Sequence, residues 1–195
     1  EFEGANEHQV EESQKAVAKM EVIIGDPDRL CAVAEDFIKH YETRVAEGAT
    51  VAGKAMFVCS NRNIAYDFYK IIRKLRPEWT KKKICADGVV LSEKDKKELK
   101  PMEKIKLVMT RNKDDEKELF EMLGTKEDRK EFDRQFKNPK SNFKIAIVVD
   151  MWLTGFDVPE LDTIYIDKPI QQHTLIQTIS RVNRVCEGKD KGLIV

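Results

Sequence analysis

One uninterrupted apolar run constrains the fold of this chain more than any other feature. The run Ile145-Ala-Ile-Val-Val149 has no polar alternation, and strands of this kind are covered on both faces in a parallel sheet. Such a strand delivers the following residues to the carboxyl edge of the sheet, where open α/β folds bind ligands. Asp150 comes next, followed by a loop that Pro159 closes. The candidate ligand-binding residues of this loop are Thr154, Gly155 and Asp157.

The remaining apolar segments alternate between the periodicities of strands and helices. Further strands are predicted at residues 54–60, 104–110, 163–167 and 192–195. Helices are predicted at residues 28–47, 61–76, 114–123 and 125–136. This alternation is typical of a parallel sheet with right-handed crossovers. We therefore expect an α/β domain over residues 51–195, preceded by a helical lead-in or linker over residues 1–50.

Three polar residues downstream of Pro169 fall on one face of a further predicted helix. At about 100° per residue, Gln177, Arg181 and Arg184 lie within roughly 60° of one another. The residues expected to pack against the domain lie on roughly the opposite side, and they are Leu175, Ile179 and Val182. Two arginines on one face repel each other, so unless they are simply solvated they suit a polyanion, and phosphate is the usual one.

The equal numbers of acidic and basic residues mean that the chain has no net positive charge to attract it to nucleic acid. Lysine plus arginine number 35, and aspartate plus glutamate also number 35. Any contact with DNA therefore has to be local. The basic run of Lys81, Lys82 and Lys83 is one candidate, but a solvated charge run is the favoured interpretation.

The cysteines indicate neither a zinc site nor a disulfide framework. The four cysteines are scattered without a Cys-x-x-Cys pair, and the chain has only three histidines. The sequence also lacks a signal peptide and a long apolar segment. We therefore predict no metal site, no membrane contact and a location in the reducing cytoplasm.

One segment imitates a phosphate-binding loop. Gly48-Ala-Thr-Val-Ala-Gly-Lys54 has the required glycine and lysine spacing, but Ala55 stands where a serine or threonine must hold magnesium. A genuine loop of this type follows a strand and opens a helix, whereas this one follows a predicted helix and opens a predicted strand. We reject it as a nucleotide site, and without another candidate the chain alone is not expected to hydrolyse ATP.

Three segments together resemble a known family. They are Val148-Val-Asp-Met-Trp-Leu-Thr-Gly-Phe-Asp-Val-Pro159, Tyr165-Ile-Asp-Lys-Pro169 and Leu175-Ile-Gln-Thr-Ile-Ser-Arg-Val-Asn-Arg-Val185. In order and spacing they resemble the second RecA-like lobe of superfamily-two helicases and translocases. Their spelling is closer to the motor part of the restriction (R) subunit of type I restriction-modification enzymes. The resemblance covers roughly residues 54–195 and implies a RecA-like parallel sheet flanked by helices.

The resemblance implies roles for the polar residues. ATP with Mg²⁺ would be held mainly by the first RecA-like lobe of the same parent chain, and the second lobe would close across it. Arg184 would be the arginine finger, Arg181 a second phosphate contact and Gln177 an orienting partner. Asp157, with Gly155 beside it, would approach the nucleotide or link the nucleotide and DNA sites.

The resemblance also implies contacts with the DNA backbone. Thr154 and Gly155 would donate to phosphate oxygens, and Ser60 and Asn61 would do so from the end of the first strand. Simpler interpretations remain open. Ser60 or Asn61 would only cap the next helix, and the loop residues would only shape a turn. For Asp150, Asp167 and Lys168, salt-bridged edge residues are the favoured interpretation.

The implied parent is a type I site-specific deoxyribonuclease with an ATP-dependent translocase. Its partners would be double-stranded DNA and the modification and specificity subunits, and its nuclease would lie in an earlier domain. Two alternatives stay open: the second lobe of another superfamily-two helicase, and a binding module for nucleic acid or protein whose arginines serve only docking.

Overall fold

The computed structural model describes residues 7–152, 157–170, 172–189 and 191–195 of the 195-residue chain. The helices are α1 Glu7–Ile24, α2 Pro27–Ala46, α3 Arg62–Leu75, α4 Glu93–Glu98, α5 Lys117–Leu123, α6 Lys126–Lys137 and α7 Gln172–Val182. The strands are β1 Lys54–Cys59, β2 Ile105–Leu107, β3 Ile145–Val148, β4 Leu161–Asp167 and β5 Leu193–Ile194. A short 3-10 helix, Pro77–Thr80, follows α3.

The five strands form one parallel sheet in the order β2-β3-β1-β4-β5. β1 and β3 lie next to each other in the interior, with Ala55 opposite Ile145, and both strands are buried along their whole length. Burial on both faces explains the uninterrupted apolar run of β3. The predicted α/β architecture, a parallel sheet flanked by helices, is confirmed.

The core on one face of the sheet is built largely from aromatic rings. Phe37 of α2 lies at its centre, with ring centroids 5.2 Å from Phe57 and 4.8 Å from Tyr165. Phe37 is 3% exposed, and four other residues of α2 are buried with it. Within the predicted lead-in of residues 1–50, α1 and α2 are helical, and residues 1–6 lie outside the described residues. Because α2 packs into the core of the sheet, residues 27–46 share one hydrophobic core with the domain predicted to follow them.

Local signals in the sequence fix where several helices begin. Thr125 and Asp128 form a reciprocal capping box at the start of α6, with the threonine hydroxyl accepting from the Asp128 amide at 3.2 Å. The pattern satisfies two amides that the first helical turn leaves free.

At the predicted lysine run, residues 81–83, all three side chains are exposed, and Lys83 pairs with Asp87 at 2.7 Å. Among the described residues, no helix has the length and apolar character needed to cross a membrane.

The packing stripe predicted for α7 is wrong in part. Val182 is buried as expected, but Leu175 and Ile179 are 37% and 38% exposed. Thr178 is fully buried instead, because its hydroxyl donates to the Thr174 carbonyl at 2.8 Å and so enters the core with its hydrogen bond made. The buried side of α7 therefore contains Thr178 and Val182 in place of the predicted set of Leu175, Ile179 and Val182.

The predicted extent of α7 also needs correction, since the helix ends at Val182 and Arg184 lies beyond it. The chain that leads into β5 packs tightly against this helix end. A Cβ atom on Gly192 would stand 2.2 Å from the Val182 carbonyl oxygen. Gln177 and Arg181 thus share a helix, whereas Arg184 belongs to the segment that follows it.

Candidate functional site

The carboxyl edge of the sheet collects polar residues from three neighbouring strands. Lys168, just after β4, donates to the Asp150 carboxylate just after β3 at 2.7 Å. Asp167 accepts from both terminal nitrogens of Arg29, one at 3.1 Å, and this pairing holds the pKa of Arg29 above its ordinary value. The prediction that Asp150, Asp167 and Lys168 are salt-bridged edge residues is confirmed. The two ion pairs join the ends of β3 and β4 and tie α2 to the same edge.

Ser60 and Asn61 lie at this edge, immediately after β1. The Asn61 side chain accepts from the Ile64 amide at 3.0 Å and caps α3, so the capping interpretation is confirmed for this residue. The Ser60 hydroxyl donates to the Asp167 carbonyl at 2.9 Å and links the ends of β1 and β4. These bonds give both residues structural roles, and their contact with a DNA backbone stays a prediction.

The segment after β3 passes through a strained turn. Trp152 has a φ of 68°, in the left-handed region that bulky residues seldom adopt. Its ring packs against Phe136, with centroids 5.3 Å apart, which holds the turn in place. Backbone strain of this kind concentrates at functional sites. Thr154 and Gly155 lie outside the described residues. Val158, which follows them in the chain, is buried at 2% exposure.

Two predicted site residues from separate motifs meet on the surface. The Arg184 guanidinium donates to the Asp157 carboxylate at 2.8 Å. The side chains are 42% and 50% exposed, so water reaches both charges. An exposed ion pair of this kind contributes only about 0–1 kcal/mol. Arg184 is therefore held weakly and can exchange its carboxylate partner for another anion.

The other two residues of the predicted arginine face differ from each other. Gln177 is exposed, while Arg181 is half-buried. The Nε atom of Arg181 is buried and has no hydrogen-bond partner within the described part of the chain. A buried donor left without an acceptor costs about 1–3 kcal/mol. An acceptor supplied by a second molecule or domain would remove this penalty.

The sequence did not indicate a role for Arg62, which connects the segment after β1 to the segment after β2. Its Nη2 donates to both oxygens of Asp115, at 2.5 and 2.7 Å, and its Nη1 to the Thr110 carbonyl at 2.6 Å. A cavity of about 400 Å³ opens beside these groups, and Asn61 and Asn63 also line it. The only signal was the position of Arg62 directly after Asn61, and this does not reveal its distant partners.

The rejected phosphate-binding loop has no lysine to offer to a phosphate. Lys54 is 1% exposed and donates to the Phe143 carbonyl at 2.6 Å. Burial lowers its pKa well below the ordinary value, and the nearby charge of Lys144 lowers it further. The loop joins α2 to β1, which is the order that argued against it in the sequence.

The donor groups of the described residues do not favour a metal centre. Cys31 is exposed, Cys59 is buried, Cys85 and Cys186 are half-buried, and none is in a disulfide. Burial raises the pKa of the Cys59 thiol. Within the described ranges, no three side chains of histidine, cysteine, aspartate or glutamate cluster closely enough to hold a metal ion.

Comparison with known proteins gives consistent relatives. A family profile described as type I restriction enzyme subunit R domain 3 matches residues 51–195. The HindI type I restriction enzyme endonuclease subunit of Haemophilus influenzae is 38% identical over 188 residues, which cover 95% of this chain and 16% of the relative. The MjaIXP type I restriction enzyme endonuclease subunit of Methanocaldococcus jannaschii is 39% identical over 193 residues, or 98% of this chain and again 16% of the relative.

A solved structure agrees on the fold. An HsdR subunit fragment of a type I restriction enzyme from Vibrio vulnificus aligns with a TM-score of 0.53 at 14% identity, covering 86% of this chain and 27% of that one. Identity at this level supports the shared fold alone. The chain thus spans about one sixth of the length of the two sequence relatives described.

Proposed function

Because the chain belongs to the family of type I restriction enzyme subunit R domain 3, we propose that it is the second motor lobe of an ATP-dependent DNA translocase within such a subunit. In this role it supplies an arginine finger to a nucleotide held by the first RecA-like lobe of the same parent. It also grips the DNA backbone, while the modification and specificity subunits supply sequence recognition. By itself the chain does not hydrolyse ATP.

The observation that carries the proposal is the state of Arg184. Its guanidinium is 42% exposed and bound by one charged hydrogen bond to an exposed carboxylate of the loop after β3. A finger has to reach across a cleft, so it must be accessible and weakly held. Arg181, only a few residues away, has a buried Nε that finds no acceptor among the residues the structure describes. Both features suit an anion that arrives from another domain.

The chemistry required of this lobe is electrostatic. During phosphoryl transfer, negative charge spreads over the oxygens of the transferred group, and an arginine from across the cleft stabilises it by about 10³–10⁵ in rate. Arg184 supplies that charge, Arg181 contacts a second phosphate oxygen, and Gln177 orients the arriving groups. Asp157 holds Arg184 until the nucleotide replaces it.

Magnesium does not fit the residues of this lobe. The described residues contain no cluster of three potential ligands, and Lys54 of the rejected phosphate-binding loop is buried in β1. The proposal therefore assigns Mg²⁺ and the β- and γ-phosphates to the first lobe. This division of labour gives the isolated chain one half of an ATP site.

Contact with DNA is assigned to the same edge of the sheet. The Thr154 hydroxyl and the Gly155 amide are donors suited to phosphate oxygens, which position a protein on the duplex without reading bases. Ser60 and Asn61 add to this row from β1. The equal numbers of acidic and basic residues, 35 each, are consistent with a local grip that depends on few phosphates. The loop that carries both Asp157 and Thr154 would couple nucleotide state to DNA grip.

The test is DNA-stimulated ATP turnover by the full-length parent with Arg184→Ala. Arg73→Ala is a matched control, because Arg73 is 38% exposed and pairs with a 56% exposed Glu118 on a different part of the surface. We expect turnover to fall at least about hundredfold in Arg184→Ala with ATP binding largely kept, since a finger acts on the transition state. Arg73→Ala should turn over normally.

A second variant separates charge from geometry. Arg184→Lys keeps the positive charge but loses the planar fork that matches a phosphate, so it should recover little of the turnover. Near-normal turnover in Arg184→Ala would refute the finger. The arginines would then serve only to dock a nucleic acid or protein, and the binding-module alternative would replace the motor-lobe proposal.

A further inference from the structure

A row of lysines crosses the amino edge of the sheet, opposite the edge described above. In the strand register, Ile145 of β3 lies beside Ala55 of β1 and Ile105 of β2. The residues directly before these three are Lys144, Lys54 and Lys104. Like charges on neighbouring strands destabilise a sheet, so three adjacent lysines at one edge call for a specific explanation.

Two of these lysines are half-buried or buried ammonium groups without a carboxylate partner. The Lys104 ammonium lies over two neighbouring rings, with Nζ 4.8 Å from the Trp79 centroid and 5.2 Å from the Tyr41 centroid. Lys144 is 7% exposed, and its Nζ donates to the Pro139 carbonyl at 2.6 Å. In the part of the chain that the structure describes, neither Nζ lies within 4.0 Å of a carboxylate oxygen. Most buried charges in proteins are paired.

Both lysines line the same cavity. It has a volume of about 490 Å³ and lies between the amino edge and the loop of residues 50–53, which is the rejected phosphate-binding loop. Two further charged residues line it, but each is neutralised nearby. Lys140 donates to Asp95 at 2.7 Å, and Asp87 accepts from Lys83 at 2.7 and 2.9 Å. Of the four charged residues that line the cavity, Lys104 and Lys144 are thus the two without an ion pair in the described part of the chain.

We propose that this cavity binds a phosphate group, either free or as part of a small phosphate ester, between the ammonium groups of Lys104 and Lys144. A phosphate dianion carries the charge that balances two ammonium groups, and a cavity of about 490 Å³ is large enough to admit it. The Asn142 amide, which donates to the Met102 carbonyl at 2.7 Å, also lines the cavity and borders the same space. The site is separate from the proposed nucleotide contacts, since it lies at the other end of the strands.

The titration behaviour of the two lysines agrees with this geometry. Burial, and secondarily the charge of Lys104, lower the pKa of Lys144 to about 8. Burial also lowers the pKa of Lys104. The other titratable groups that act on this pair are Lys54 and Cys85 beside Lys144, and Glu42, Glu78, Asp87 and Lys83 beside Lys104. An anion between the ammonium groups would oppose both shifts.

The test is thermal unfolding of the 195-residue chain in 20 mM inorganic phosphate against a zwitterionic buffer of matched ionic strength. If phosphate binds with a Kd of about 1 mM, the folding equilibrium shifts about twentyfold and Tm rises by about 5 °C. The shift should disappear in Lys144→Met and in Lys104→Met. Lys74→Met removes one charge from an exposed position on α3 and should keep the full shift.

The variants also exclude a purely structural role for the lysines. If Lys144 serves only the fold, Lys144→Met lowers Tm in the buffer without phosphate and leaves the phosphate shift intact. If Lys144 serves to bind the anion, Lys144→Met is at least as stable as the unaltered chain in the buffer without phosphate. Its Tm then does not rise when phosphate is added. Adenosine monophosphate at the same concentration distinguishes the free ion from a phosphate ester. A Tm shift with inorganic phosphate but not with adenosine monophosphate indicates the free ion. A wild-type shift below about 1 °C, or equal shifts in all variants, would overturn the proposal.

Discussion

Phe37→Ala should destabilise the chain strongly, although the residue lies outside the predicted α/β domain of residues 51–195. Phe37 is 3% exposed and packs its ring against Phe57, Tyr165 and Phe68, with centroids 5.2, 4.8 and 5.9 Å away. Truncation of a buried phenylalanine to alanine costs about 3–5 kcal/mol. At about 2–4 °C per kcal/mol for a chain of this size, we expect Tm to fall by about 12 °C.

The assay is thermal unfolding followed by circular dichroism, with Phe120→Ala as the control. Phe120 is 39% exposed on α5, so its truncation removes the same atoms with much less loss of burial. We expect the control to lower Tm by less than about a third of the Phe37→Ala effect. Equal effects of the two substitutions would refute the conclusion that α2 belongs to the core of the sheet. The helix would then be a lead-in that only touches the domain.

Three further substitutions test other parts of the account. Gly192→Ala places a Cβ 2.2 Å from the Val182 carbonyl oxygen, so denaturant unfolding should give a loss of at least about 2 kcal/mol, and an unchanged midpoint would contradict the packing. Thr125→Ala removes the capping box with Asp128 and should cost about 1 kcal/mol in the same assay, whereas Thr125→Ser should cost much less. Lys144 has a pKa lowered from 10.5 to about 8 in the folded state, so its burial penalty is fully present below pH 8 and is relieved as pH rises to 10.5. The penalty corresponds to about 3 kcal/mol, so Lys144→Met should stabilise the chain most at pH 7. A difference in stability between the variant and the unaltered chain that stays the same from pH 7 to 10 would refute this burial penalty.

Features that depend on local pattern were predictable from the sequence. The apolar run of β3 indicated burial on both faces, and the apolar periodicity of residues 28–47 indicated the helix α2. The reciprocal cap at Thr125 required only residues three positions apart. These signals act within one turn or one strand, so the sequence alone carries them.

Features that depend on distant contacts were not predictable. On α7, Thr178 is buried whereas Leu175 and Ile179 are exposed. Which side of the helix is buried depends on its contacts with β4 and β5. The end of this helix depends on the approach of Gly192. The pairing of Arg29 with Asp167 joins residues that the chain separates widely. Sequence periodicity contains none of this information.

In the candidate site, the residues were predictable from the sequence, whereas the contacts between them were not. The arginines and Asp157 could be identified as polar residues near a sheet edge, and the resemblance suggested their roles. The ion pair between Arg184 and Asp157 became visible only when the loop after β3 and the segment after α7 were placed side by side. The row of Lys54, Lys104 and Lys144 likewise required the strand register, because the sequence spaces these lysines far apart.

The most direct test of the motor-lobe proposal is a structure of the full-length parent with DNA, ADP and a fluoride mimic of the transferred phosphoryl group. The quantity to measure is the distance from the Arg184 guanidinium to that mimic. We predict that Arg184 has left Asp157 and lies within about 3.2 Å of the mimic, in hydrogen-bond range. A guanidinium still paired with Asp157 and more than about 6 Å from the mimic, beyond the range of a direct charge interaction, would contradict the proposal.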